Sequence, residues 1–224
     1  PVDKKWIREI IDSSTDGYLP PEKVQQLLDA AGIQRAKEVV ASTRQELLSG
    51  AKEIGYPLAM KVIGPVHKSD VGGVALNISD EETLLEKFHH MMNIPQTTAI
   101  LMQPMLSGTQ IFIGAKREGN FGHLILCGLG GIFVETLKDI NYSLSPVSRE
   151  EADEMIRTLR SYRILEGSRG QEGVNIPMFS EAVRRVSALC QAAPEIFEMD
   201  INPLMAGTRQ ITAVDARIRI EKER

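Results

Sequence analysis

Three helix-start signals punctuate this chain, and strand-like and helical segments alternate around them. Thr43 and Glu46, Ser79 and Glu82, and Ser148 and Glu151 each make a box in which a hydroxyl residue precedes a glutamate by three positions. Such a box satisfies backbone N–H groups that a helix start leaves orphaned, so each opens a helix. The first is expected to run to Ile54 and end at Gly55, the second to run to about Met92. Pro20 and Pro21 open a further helix, because proline at the first helical position forfeits no hydrogen bond. Val24, Leu27, Leu28 and Ala31 share its apolar face, and Gly32 stops it. Residues 4–11 are expected to form a short helix, with 12–17 a polar break after it.

Between these helices lie apolar runs of strand length at 38–41, 57–63, 73–78 and 98–103. The middle of the chain changes character: 110–117 and 123–127 flank Glu118-Gly-Asn-Phe-Gly122, a hairpin signature with glycines where the turn needs them. Gly128-Leu-Gly-Gly131 and a run at 132–135 follow, then an amphipathic helix over 179–192. Residues 195–201 and 210–217 are expected to close the chain as a hairpin around Ala206-Gly207. Helices mixed with both hairpins and crossovers indicate an α+β fold in two lobes, not a doubly wound sheet. The expected division is a lead-in and linker over 1–19, one lobe over 20–106 and a second over 107–224.

Composition narrows the partners. The 224 residues hold 26 Lys and Arg against 30 Asp and Glu, a net charge of −4, which is not the basic footprint of a nucleic-acid binder. No apolar run reaches the roughly 20 residues of a membrane span, and no signal-peptide core is visible. Cys127 and Cys190 form no metal or redox motif and are read as reduced thiols. The expectation is a soluble cytoplasmic protein with neither a nucleic-acid nor a membrane partner.

Two constellations could carry chemistry. Lys61 sits inside an apolar strand, where a lysine is expensive to bury unless an anion compensates it. The loop after that strand carries His67, Lys68, Ser69 and the pair Gly72-Gly73. Glycines there let backbone N–H groups approach a phosphate, and the neighbouring cation and hydroxyl add charge-assisted bonds. An edge strand with an exposed lysine and an ordinary turn is the alternative. The second constellation is Glu198, Asp200 and Asn202, which alternate along one strand and so share a face, with Asp215 on the return strand. Such oxygen donors suit Mg²⁺ completed by water and phosphate, and the alternative is a solvated polar face. His89, His90 and His123 are expected at the surface.

The strand with Lys61, the His67–Val74 loop, the segment Gly128–Glu135 with Lys138-Asp139, and Asp200-Ile-Asn-Pro-Leu204 together resemble the ATP-grasp portion of NDP-forming acyl-CoA synthetases. These include the ADP-forming acetyl-CoA synthetase β subunits and are similar to the succinyl-CoA synthetase β subunit. The resemblance implies an ATP-grasp fold with nucleotide held between two α+β lobes. It implies that Lys61 and the loop from Lys68 to Gly73 serve the nucleotide, with Lys68, Ser69, Gly72 and Gly73 over the phosphates. Gln103, Pro104 and Met105 match the hinge that lines the base, and Gln110 stands where the family usually carries a glutamate on the nucleotide. Asn202 and Asp215 match the Mg²⁺ ligands, with Asp200 beside them, and His67 matches a histidine proposed to relay the phosphoryl group. The implied reaction is acyl-CoA + ADP + phosphate = acid + ATP + CoA, an acid–thiol ligase with Mg²⁺ and ATP/ADP. It needs a CoA-binding and ligase partner or domain for the primary phosphohistidine. Gln110, and Ser143 at a place where the family often has arginine, keep two alternatives open: a nucleotide-sensing module of a fused protein, or another ATP-grasp carboxylate ligase.

Overall fold

The computed structural model describes residues 1–64, 72–131, 138–168, 170 and 172–222. The chain divides into two compact units: residues 36–106 form one, and 1–35 with 107–224 form the other.

The smaller unit is a four-stranded sheet backed by two helices. Its strands are β2 (Val39–Ala41), β3 (Leu58–Ile63), β4 (Val74–Ile78) and β5 (Ala99–Pro104), in the order β2-β5-β3-β4 and antiparallel throughout. Helix α3 (Arg44–Ile54) starts at Thr43, whose side chain accepts the Glu46 N–H, and stops at Gly55 with φ +85°. Helix α4 (Glu81–Met92) starts one residue later than its box suggests. Asp80, not Ser79, accepts the Thr83 N–H, at 2.7 Å. A carboxylate is as good a cap as a hydroxyl and adds charge at the positive end of the helix dipole. Alternation along β3 sends Leu58, Met60 and Val62 into the core with Ile78, Ile100, Met102, Leu47 and Leu84.

The larger unit is a seven-stranded sheet with the path β1-β11-β9-β6-β7-β8, and β10 paired to β9. These strands are β1 (Gly17–Tyr18), β6 (Thr109–Arg117), β7 (His123–Leu129), β8 (Ile140–Leu144), β9 (Ile196–Ala206), β10 (Ile211–Ala213) and β11 (Ala216–Ile220). The expected central hairpin is β6–β7, closed at Arg117↔His123. The expected terminal hairpin is instead one long strand, β9, answered by two short ones; the chain leaves the ladder between them at Val214 and Asp215. The helices are α1 (Lys4–Asp12), α2 (Pro21–Ala30), α5 (Arg149–Arg157), α6 (Tyr162–Glu166) and α7 (Ile176–Ala192). Their apolar faces and one face of the sheet form a single core, with Phe179, Val183, Ile113, Ile125 and Ile201 fully buried. The Ser148–Glu151 box is complete at the start of α5.

The lead-in expected over 1–19 is not a linker. Ile7, Ile10 and Ile11 form an apolar stripe on α1 that is buried in this core, and Arg8 donates to both Glu195 oxygens at 2.8 and 2.6 Å. β1 then pairs with β11. The boundary at 20 moves to 36, because the first 35 residues belong with the second half of the chain, while the division between 106 and 107 coincides with the expected one. Among the described residues no helix is long and apolar enough to cross a membrane.

Candidate functional site

Each unit covers one sheet face with helices and leaves the other free of them. In the smaller unit that second face carries Lys61, which pairs across the ladder with Leu101 and Val74. Lys61 is half-buried and makes no hydrogen bond or ion pair among the described residues. Around it lie Val40, Val74 and Leu76, all exposed apolar side chains. Among the described residues this ammonium, on an apolar surface, has lost part of its hydration without gaining a counter-ion, which is the state an anionic ligand would relieve.

Gln103 shares this face. It is buried, sits opposite Ala59, and its Nε2 donates to Glu38 Oε1 at 2.7 Å. Pro104 pairs with Leu58, and the Met105 N–H donates to the Pro57 carbonyl at 3.1 Å, so the segment leaves the sheet along a fixed path. Gly73 is buried, and its carbonyl accepts from Val62 N–H at 2.9 Å. Gly72, with φ +72° and open space where a Cβ would stand, begins the described chain after the loop. His67, Lys68 and Ser69 lie outside the described residues.

In the larger unit the helix-free face carries the oxygen donors. Asp200 and Asn202 alternate with the buried Met199 and Ile201 along β9, as expected from the strand period. The Asn202 N–H donates to the Asp215 carbonyl at 3.1 Å, which sets Asp215 directly across from Asn202. Burial pushes the Asp200 carboxyl above its ordinary range, Arg217 opposes the shift, and the charges of Asp215 and Glu198 add to it. A carboxylate destabilised by burial and by like charges gains from a cation.

Gly130 and Gly131 close on the same place. The Gly131 N–H donates to Asn202 Oδ1 at 2.7 Å, and the Gly130 N–H to the Gln110 carbonyl at 2.8 Å. A Cβ on Gly130 would stand 2.5 Å from the Ile111 carbonyl oxygen and 2.9 Å from Asn202 Oδ1, so only glycine fits. The Gln110 side chain lies over Gly131. Asn202 therefore ties the glycine segment to β9 and still has a second lone pair on its oxygen.

The donor set fits Mg²⁺. Among the described residues no group of three or more His, Cys, Asp or Glu is placed to hold a metal. Mg²⁺ commonly takes one or two carboxylates with water and phosphate completing the shell, and Asp215, Asp200 and the Asn202 carbonyl match that demand.

Other sequence expectations fall elsewhere. His123 is buried, not at the surface, and its Nε2–H donates to the Ile196 carbonyl at 2.7 Å. It begins β7 on the helix-covered face, a placement that strand period alone cannot decide. His89 and His90 are exposed on α4 as expected. Ser143 Oγ donates to Glu151 of α5 at 2.9 Å, on the helix-covered side and away from the donors. Asp139 accepts the N–H groups of Arg160 and Ser161, a capping role. Glu38, partner of Gln103, had no sequence signal, because the pair joins residues 65 positions apart.

Comparison with known proteins identifies the family and the fold. The ATP-grasp domain family matches residues 11–220. The chain is 37% identical to the β subunit of acetate–CoA ligase (ADP-forming) I of Pyrococcus furiosus, over 94% of this chain and 96% of that subunit. It is 40% identical to acetate–CoA ligase (ADP-forming) II of Archaeoglobus fulgidus over 86% of this chain, but spans only 29% of that longer protein. Among solved structures it resembles the acetyl-coenzyme A synthetase 1 of Candidatus Korarchaeum cryptofilum in complex with coenzyme A and Ca-AMPCP. There the TM-score is 0.85 at 31% identity, covering 98% of this chain and all of the matched one. A second structure of that enzyme, with Mg-AMPPCP, matches with a TM-score of 0.82. The chain is thus a member of the ATP-grasp domain family, homologous to the β subunits of ADP-forming acetate–CoA ligases.

Proposed function

We propose that this chain is the nucleotide-handling part of an ADP-forming acyl-CoA synthetase, moving a phosphoryl group between ADP/ATP and a phosphohistidine. The observation that carries the reading is the meeting of Asn202, Asp200 and Asp215 with the Gly130-Gly131 segment on one helix-free sheet face. Phosphoryl transfer asks little covalent chemistry of a protein; it asks for positioning and for compensation of charge on phosphate oxygens. Asp200, Asn202 and Asp215 would hold Mg²⁺, which supplies charge neutralisation when bound. Asn202 also fixes the glycine segment, so the same side chain orders the backbone next to the donors. Lys61 meets phosphate charge from the smaller unit, and Gln103, Pro104 and Met105 serve the base with the apolar surface around them.

His67 is assigned the relay. Its imidazole nitrogen attacks phosphorus and the bond to the donor phosphohistidine nitrogen breaks; ADP then takes the same group, giving ATP and free imidazole. Lys68, Ser69, Gly72 and Gly73 serve the phosphates during both transfers. The CoA-binding and ligase functions belong to a partner subunit or a further part of the protein, which the extra length of the Archaeoglobus relative supports.

The test is reconstitution. The chain with its CoA-binding portion should form ATP from acetyl-CoA, ADP and phosphate, and the chain alone should form none. His67→Asn should abolish turnover while leaving ADP binding in place. Turnover by the chain alone, or full turnover with His67→Asn, would contradict the reading.

A further inference from the structure

Arg217 is the charge on the helix-free face of the larger sheet that the assignments above leave unused. It lies in β11 opposite Asp200 of β9, and Asp200 lies opposite Gly114 of β6 on its other flank. Glycine offers no side chain there, so Arg217 is the cross-strand neighbour that can supply a countercharge. Lys116 and Arg219, the other basic residues described on this face, stand opposite Glu198, the next position along this face from Asp200, and the Arg219 guanidinium pairs with Glu221 at 2.8 Å.

The Arg217–Asp200 pair is loose. Nη2 stands 3.8 Å from Oδ2, beyond hydrogen-bond reach, and the two side chains are 71% and 41% exposed. The guanidinium is held there by charge and can leave without breaking a bonded geometry.

We propose that Arg217 is a positioning residue that stands in for the divalent cation, holding Asp200 in the cation-free protein and yielding when the cation arrives. This rests on the reading of Asp200, Asn202 and Asp215 as the cation-binding set. Arg217 then sets cation affinity from outside the ligand set: it stabilises the empty site and opposes the filled one. A charge a few ångströms from a divalent ion, in surroundings near the water limit, changes affinity by roughly ten-fold.

The experiment is Mn²⁺ titration of the full chain without nucleotide, followed by the electron paramagnetic resonance signal of free Mn²⁺. Wild type, Arg217→Gln and Arg217→Lys are compared, each checked by its thermal midpoint. Arg217→Gln should bind Mn²⁺ roughly ten-fold more tightly, with the gain shrinking as salt screens the repulsion. Arg217→Lys, which keeps the charge, should stay within about two-fold of wild type. Adding Asp215→Ala should remove binding in every background, which locates the ion. Equal affinity in wild type and Arg217→Gln, or weaker binding in Arg217→Gln, would overturn the proposal and leave the cation site standing. No Mn²⁺ binding by any of the three would overturn the site reading, and the proposal with it.

Discussion

In the smaller unit the helix-free sheet face is apolar around Lys61 and Gln103, whereas the larger unit sets Asp200, Asn202, Arg217, Glu198 and Lys116 on the corresponding face. Among the described residues, that face of the smaller unit has few charges to satisfy, and Lys61 has no partner there. The larger unit has many charges, and they answer one another across strands. An apolar surface with one cation suits a base and a phosphate, while a balanced polar face suits a cation and the oxygens it gathers. Under the proposed function, the contrast divides recognition from charge compensation.

The largest effects should come from the cores, because each unit has its own. Phe179 is fully buried in the larger core, and Phe179→Ala should cost about 3–5 kcal/mol. Met60→Ala, in the smaller core, should cost about 2–5 kcal/mol. Calorimetry sharpens the comparison: each variant should lower the transition of its own unit first. A single transition that moves equally for both variants would show that the two cores unfold together.

Glycine replacements come next. Gly130→Ala drives a Cβ against the backbone at Ile111 and should cost about 1–3 kcal/mol. Gly131→Ala meets only the movable end of Gln110 but keeps φ +66°, so about 1 kcal/mol is expected. Thermal midpoints should rank Gly130→Ala below Gly131→Ala; the reverse order would break the geometric account of this segment.

The remaining stability effect concerns pH. The Arg8 hydrogen bonds hold the Glu195 carboxyl below its ordinary 4.5, outweighing burial. A depressed carboxyl stabilises the fold fully above its unfolded pKa, and that contribution disappears as pH falls through the folded one. Glu195→Gln should therefore lose about 1–2 kcal/mol at pH 7, a figure already discounted for the exposure of Arg8, and lose less as pH drops below about 4.5. His123 acts in a higher window: burial lowers its pKa from 6.5, so below that pH protonation favours the unfolded chain. His123→Gln should flatten the stability profile below about pH 6.5. Urea unfolding across pH checks both; a profile unchanged by either substitution would contradict the assignments.

Local signals were the legible ones. The boxes at Thr43 and Ser148, the stop at Gly55, the β6–β7 hairpin and the shared face of Asp200 and Asn202 follow from neighbours a few residues apart. What escaped depends on distant partners. Residues 1–19 read as a linker because the stripe Ile7-Ile10-Ile11 gains meaning only when buried against the larger core. His123 faces inward because Ile196 presents a carbonyl 73 positions away. Asp80 displaced Ser79 as a cap because two adjacent residues both qualify. Of the candidate site, the donor residues were legible, while the bond from Gly131 to Asn202 and the Glu38–Gln103 pair were not.

The central claim of the proposed function is that Lys61 and Asp215 each contribute to ADP binding and that only Asp215 brings in the cation. Calorimetric titration of ADP, with Mg²⁺ and with chelator, into wild type, Lys61→Ala and Asp215→Ala tests it most directly. Lys61→Ala should weaken ADP by roughly ten-fold in both conditions, the scale of one lost charge-assisted contact. Asp215→Ala should bind ADP equally with and without Mg²⁺, at the affinity wild type shows in chelator. Undiminished Mg²⁺-dependent binding by Asp215→Ala, or unaltered affinity in Lys61→Ala, would contradict the account.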